Sequence, residues 1–352
     1  MNHLKLTDVD DLLQSNLIAS PKLIESQIID YIMSLRQSGI SYATIKVLIA
    51  PIFTFYQLND VLLNRKKVHR YIGEFKRVVR DRAYSTEQIQ QALQNADQRM
   101  RCIILLLAST GCRLGSIPGL VFRNLTKLSL PDTRYRITFY EGTNNEYYTF
   151  TTRECAITGI DNYLEYRKRC GEKISFNQKT NRWEPEDTPL VREVFDVNDI
   201  LQIRHPRPMT VYSLRVGLGL HLVKSGVRDV EHPIATAGNI QPAKRVRKPI
   251  ALTNGFRKHV ISTFIQANLN HEIRELIVDH ATHLDQNYFR PTEDQVLEEY
   301  LKAEPYLTID PSMRLQNEIQ TLRVEKSNWE ALRQELDELK EMMFNPKGNP
   351  KS

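Results

Sequence analysis

The chain has 352 residues, 41% hydrophobic and 26% charged, which describes a soluble globular protein long enough for two domains. Its longest apolar run, Ile103 to Ala108, is far too short to span a bilayer, and MNHLKLTDVDDLL carries acids where a secretory signal needs an apolar core. Four cysteines, Cys102, Cys112, Cys155 and Cys170, form no C-x-x-C pair and suit a reducing cytoplasm better than a disulfide framework or a zinc site. A cytoplasmic protein with no membrane partner, no metal and no other cofactor is expected.

The net charge is +6, unevenly spread. Residues 65–82 hold eight Lys/Arg (Arg65, Lys66, Lys67, Arg70, Lys76, Arg77, Arg80, Arg82) against two acids, so this stretch alone equals the whole-chain excess. Residues 240–258 add Lys244, Arg245, Arg247, Lys248, Arg257 and Lys258 with no acid. One such cluster could be a solvated helix face. Two of them, the first interleaved with Tyr71 and Phe75, favour a nucleic-acid surface.

In chain order, residues 1–64 read as helical. Leu23, Ile24, Ile28, Ile32 and Leu35 recur near helical spacing between a start signal at Ser20-Pro21 and a stop at Ser38-Gly39. SYATIKVLIAPIFTFYQLND reads as a further helix pair, bent or broken at Pro51. Beyond the basic stretch, Ser85 is placed to cap a helix whose first turn holds Glu87 and Gln88. The linker falls near residues 76–84. IILLLASTGCRLGSIPGL describes an apolar helix stopped at Thr110-Gly111, with Arg113 after the break.

YRITFY (135–140) and EYYTFTT (146–152) carry strand composition, and Gly142 to Asn145 a turn between them. Residues 155–170 read as a helix. Residues 171–210, with Pro185, Pro189, Pro206 and Pro208, read as a loop-rich excursion, and 211–226 as a helix containing Gly217 and Gly219. Asn254 and Arg257, three apart, share one helix face. His280 closes a run in which Ile273, Leu276 and Ile277 mark a helix face, and Tyr288 follows eight residues later. In the tail, Trp329, Leu332, Leu336, Leu339 and Met343 alternate steps of three and four, a coiled-coil seam that Leu315, Ile319 and Leu322 extend with a break near Lys326. A helix folded back on its own domain and a dimer seam both fit that pattern. The overall expectation is a mainly α protein with a small β-hairpin or sheet (α+β).

Thr110-Gly111-x-Arg113 after an apolar helix, then x-x-Arg257, then His280, then Tyr288 resembles the tyrosine recombinases, the phage-integrase family of DNA strand-exchange enzymes. The resemblance covers residues 85–300. It implies a helical core-binding domain over 1–80 that clamps DNA, a catalytic domain over 84–310, and here a C-terminal helix or coiled-coil tail over 311–352. A basic linker between the two domains would let them wrap a duplex as a C-shaped clamp. The implied activity is site-specific cleavage and rejoining of duplex DNA through a 3′-phosphotyrosyl intermediate, independent of metal and ATP. The implied catalytic set is Arg113, Asn254, Arg257, His280 and Tyr288. The implied DNA contacts are Arg65, Lys66, Lys67, Arg70, Lys76, Arg77, Lys244, Arg245, Arg247, Lys248 and Lys258. The partners would be double-stranded DNA and further copies of the chain, a tetramer on synapsed DNA, and the setting the nucleoid.

Three positions depart from the family pattern. Asn254 stands where His is usual, and Asp279 where Gly precedes the motif His. The hairpin turn Glu141-Gly142-Thr143-Asn144-Asn145 lacks the family's Lys; Lys127, Arg134 and Arg136 are near in sequence but out of position. The Tyr spacing and the downstream FRPTEDQVLEEYLKA look like archaeal integrases. A DNA-binding relative that no longer cuts, and a type IB topoisomerase, are the alternatives.

Overall fold

The computed structural model describes residues 20–75, 81–128, 133–229, 249–280 and 290–344. The chain divides into two compact units, 1–80 and 81–352.

In the first unit, α1 (Pro21–Gln37) starts with Pro at its first turn and ends before Gly39, whose φ of +74° no Cβ-bearing residue adopts readily. Then come α2 (Tyr42–Leu58) and α3 (Arg65–His69), the last running into a 3₁₀ turn over Arg70–Ile72. Ile24, Ile28 and Ile32 of α1 meet Ile45, Ile49 and Phe53 of α2 and Val68 and Ile72 beyond it in one closed core. Contrary to the expected break, α2 is a single helix through Pro51. Pro51 and Val47, the residue whose carbonyl the ring deprives of a donor, are both exposed, so water can satisfy that carbonyl.

The second unit opens with α4 (Thr86–Gln94), which begins in a reciprocal capping box between Ser85 and Gln88. The apolar α5 (Gln98–Thr110) is buried along most of its length and runs through the centre of the larger core. Three antiparallel strands follow in the order β1 (Leu125–Leu128), β2 (Arg134–Phe139), β3 (Tyr147–Phe150), with Ile137 opposite both Leu125 and Thr149. Residues 155–170, expected as one helix, start as a π-helix over Cys155–Asp161 before α6 (Asn162–Arg169). The stretch 171–210 is more ordered than its prolines suggest. It holds a two-stranded hairpin, β4 (Ser175–Asn177) with β5 (Arg182–Glu184), and a short helix α7 (Ile200–Arg204). Trp183 anchors the hairpin, packing on Phe176 and donating from Nε1 to the Tyr135 hydroxyl at 2.7 Å.

After α8 (Val211–Lys224), helices α9 (Asn254–Gln266), α10 (His271–Ile277) and α11 (Glu293–Leu307) enclose a second core around Val260, Phe264, Ile277, Val296 and Tyr300. The final helix, α12 (Pro311–Phe344), is continuous over 34 residues. Among the described residues no helix is long and apolar enough to cross a membrane.

Several buried charges are paired with one another. Arg167 and Arg192 both donate to the Glu172 carboxylate, with all three side chains nearly inaccessible. Arg134 donates from Nε to Glu304 at 2.8 Å, tying β2 to α11.

Candidate active site

Two ends of helix and one tight turn build the site. α5 stops at Gly111, which takes φ +63° and whose Cβ position would lie 3.2 Å from the Val260 side chain on α9. A glycine there is required twice, by backbone conformation and by the close approach of α9. The chain then leaves α5 in an extended direction at Arg113. α9 begins at Asn254, and Gly255 lets its first turn lie against Tyr84, where a Cβ would come within 2.5 Å of the ring.

From this turn Arg257 projects inward. It is buried, donating from Nη1 to the Gly111 carbonyl at 2.8 Å and from Nη2 to the Val278 carbonyl. One side chain thus links the end of α5, the start of α9 and the end of α10. Burial, and then the like charge of Arg113, hold its pKa below the ordinary arginine value, though a guanidinium keeps its proton at neutral pH. Two arginines separated by 144 positions in the chain have therefore become electrostatic neighbours.

Arg113 is half-exposed and engages Asp279. Its Nη1 pairs with the Asp279 carboxylate, and its Nη2 donates to the Asp279 carbonyl at 3.1 Å. Asp279 sits just beyond α10 with φ +53°. That conformation explains why glycine is the usual residue in the family pattern, and Asp is one of the few others that tolerates it. His280, next along, is exposed at the edge of the same turn. Its Nδ1 lies 2.7 Å from Glu275 Oε2. A carboxylate only accepts, so Nδ1 carries the proton in this contact. Burial raises the Glu275 pKa, but hydrogen bonds from His280 and Arg274 outweigh it and hold the carboxylate below its usual value. Glu275 is a positioning residue that sequence reasoning missed; its only signal is a place five residues before the motif His.

Tyr147, also missed, lies close enough to feel both Arg257 and Asp279. Burial pushes its phenol far up, and its hydroxyl has no hydrogen-bond partner among the described residues. Asn254 is exposed at the first position of α9, whereas Arg257 one turn on is buried, so the shared helix face does not give them a shared environment. Tyr288 lies outside the described residues, as do Lys76, Arg77, Lys244, Arg245, Arg247 and Lys248.

The remaining basic candidates are described. Lys66 and Arg70 are exposed on α3 and the turn after it. Lys67 is committed to Glu25, buried on α1, at 2.8 Å, and that hydrogen bond, with one from the Asn64 backbone, keeps the Glu25 pKa low. Arg65 lies over the Phe53 ring and donates to Gln57. Lys258 pairs with Asp81 at 3.2 Å.

None of the nearby basic residues replaces the absent hairpin Lys. Lys127 Nζ meets Asp161 at 2.7 Å between the Tyr135 and Phe176 rings. Arg134 is held by Glu304, and Arg136 by Glu293 at 3.0 Å under the Tyr148 ring. His259 is a buried helix residue facing the Tyr84 carbonyl at 3.1 Å, its pKa lowered by burial. It lines a cavity of about 740 Å³ with Tyr306 and Arg314, and none of Arg113, Asn254, Arg257 and His280 lines that cavity.

No protein-family model matches the chain, and no curated protein matches it. Among solved structures it is similar to XerA recombinase at 15% identity, covering 81% of this chain and 83% of that one, with a TM-score of 0.37. It is similar to the Tn1549 transposon integrase in complex with transposon right end DNA at 16% identity, covering 79% and 84%, with a TM-score of 0.48. A lambda integrase tetramer bound to a Holliday junction is similar at 10% identity over 74% and 66%, with a TM-score of 0.43. All three scores lie below 0.5, and the functional reading rests on the residues of the site.

Proposed function

We propose that this protein is a tyrosine-type DNA strand transferase, a site-specific recombinase or integrase that cuts and rejoins duplex DNA. The observation that carries the reading is the convergence of Arg113 and Arg257 beside the Asp279-His280 turn. Two adjacent permanent cations repel each other, and an anion between them relieves that repulsion. Planar guanidiniums suit the oxygens of a phosphodiester. Tyr288 Oη would attack phosphorus, forming a 3′-phosphotyrosyl bond and releasing a 5′-hydroxyl. The attacking phenol loses its proton, and the leaving oxygen gains one. His280, oriented through Glu275, would donate a hydrogen bond from Nε2 to the phosphate in its doubly protonated, imidazolium form. Rejoining reverses these steps, and the phosphotyrosyl bond conserves the backbone energy in between. Trapping of a covalent adduct on a nicked duplex tests the reading, and its absence with intact binding would leave a DNA-binding relative that no longer cuts. One observation favours that second reading: Arg113 is already occupied by Asp279.

Asp279 therefore stands in for the substrate anion when DNA is absent. Asp279→Gly should free Arg113 and relax a left-handed residue that costs roughly 1 kcal/mol or more. The exposed ion pair it removes contributes at most about 1 kcal/mol. Cleavage is expected to quicken with little change in thermal stability. Slower cleavage in single-turnover assays would show instead that the carboxylate holds Arg113 in its working position.

The DNA surface of the first unit is expected at Lys66 and Arg70 rather than at Lys67, whose ammonium compensates buried Glu25. Replacing Lys66 and Arg70 by Gln should weaken binding to all sequences alike. The slope of log K against log[salt] should flatten by about 0.9 for every DNA phosphate that is no longer neutralised. An unchanged slope would remove this surface from the interface.

A further inference from the structure

We infer that α12 is one strand of a parallel two-stranded coiled coil whose other strand is α12 of a second copy of this chain. This helix has 34 residues, a length of about 51 Å at 1.5 Å per residue. Its first turns belong to the second unit: Arg314 donates from Nη2 to the Thr308 carbonyl at 2.7 Å, and Arg314 and Glu318 line the cavity beside His259. Further on it carries a row of exposed large apolar side chains. Leu322 is 57% exposed, Trp329 73%, Leu332 58%, Leu336 52% and Leu339 56%. Five such residues facing water on one helix exclude the fold-back arrangement, in which they would be covered.

The spacing of the row says what covers it. Leu315, Leu322, Trp329, Leu336 and Met343 stand seven apart without interruption, and Leu332 and Leu339 stand three beyond Trp329 and Leu336. The first set takes heptad position a, the second position d. In this register the break near Lys326 is the charged Glu325 at position d, while the a positions and the helix itself run on through it. A strict seven-residue apolar repeat drifts around a straight helix by about 20° per heptad, and a left-handed supercoil with a second helix keeps it facing its partner. In the amino-terminal half position d falls on Glu318, which lines the cavity of its own unit, and on Glu325. The seam is therefore concentrated between Trp329 and Met343.

Charge selects the partner's identity and direction. In this register Arg333 and Lys340 occupy position e, and Glu335 position g. In a parallel pair each g residue faces the e residue five places on in the other strand, so Glu335 meets Lys340 of the second copy on both sides of the seam. In an antiparallel pair e faces e, which sets Arg333 and Lys340 against their own counterparts. A second copy in parallel register is the arrangement in which apolar repeat and charge agree. Pairing through α12 is independent of the proposed strand-transfer activity.

The test uses the full-length protein and sedimentation equilibrium. The wild type should self-associate, and Leu332→Asp with Leu336→Asp should remove that association while far-UV circular dichroism of the rest persists. Glu335→Lys and Lys340→Glu should each raise the dissociation constant several-fold, and the two together should restore it, because the pair is rebuilt with its charges exchanged. Leu339→Cys places a thiol at position d, and under diamide the parallel pair should yield a disulfide-linked dimer that wild type does not form. A monomeric wild type, or an association state untouched by the double Asp variant, would overturn the inference. Association in which the charge reversals are silent and no cross-link forms would overturn the parallel pairing.

Discussion

Tyr288→Phe is expected to abolish covalent attachment to DNA while leaving DNA affinity within about twofold, because it removes one oxygen and keeps the ring. An attacking phenol near its reference pKa of about 10 must give up its proton during attack, and a ring without oxygen can form no phosphotyrosyl bond. Rival tyrosines are limited by their surroundings. Tyr300 is inaccessible, its hydroxyl shared with Ser109 at 3.0 Å, and burial raises its pKa well above the ordinary phenol value. Tyr147 lies close enough to feel Arg257 but is buried and likewise shifted upward by burial. Tyr306 is exposed, yet it lines the cavity around His259, to which neither arginine contributes. The measurement is a suicide substrate with a nick beside the scissile phosphate, followed by digestion and mapping of the nucleotide-bearing peptide. An adduct that survives in Tyr288→Phe, or that maps to Tyr306, would transfer the nucleophile's role.

The parts of the site that sequence reveals are those encoded locally. Gly111 stops α5 by a conformation that only glycine takes cheaply, so Thr110-Gly111-x-Arg113 marks both the helix end and the arginine that follows it. The Ser85 cap and the β2–β3 hairpin are local in the same sense, set by side chains within a few positions of the backbone they bond. Contacts between distant segments leave no such trace. Nothing periodic pairs Arg113 with Asp279, or gathers Arg167 and Arg192 on Glu172. Asp279 could be read from sequence as an acid near the phosphate, but not as the residue that holds Arg113. Proline misleads where its cost is met by solvent, as at Pro51 on the wet side of α2. It misleads again at Pro185, which falls one residue beyond β5 and so leaves the hairpin around Trp183 intact.

The two arginines are expected to fail differently when removed. Each supplies preorganised positive charge to a transition state that concentrates negative charge on phosphate oxygens, and one lost donor of this kind costs about 10²–10³ in rate. Arg113 is half-exposed and its ion pair with Asp279 lies at the surface, so Arg113→Ala should lose cleavage with little loss of stability. Arg257 is buried, and its two donors satisfy the Gly111 and Val278 carbonyls. Arg257→Ala leaves those acceptors without a side-chain partner among the described residues and opens a void between α5, α9 and α10. Each orphaned buried acceptor costs about 1–3 kcal/mol, so this variant should lose cleavage and also melt several degrees lower. Arg257→Lys separates the two roles: it keeps a charge but cannot span both carbonyls with a planar fork. Recovery of stability without recovery of cleavage would assign the fork to the phosphate. If instead Arg257→Ala cut at the wild-type rate, once its unfolding was accounted for, Arg257 would be a structural tie between helices and the site would rest on Arg113 alone.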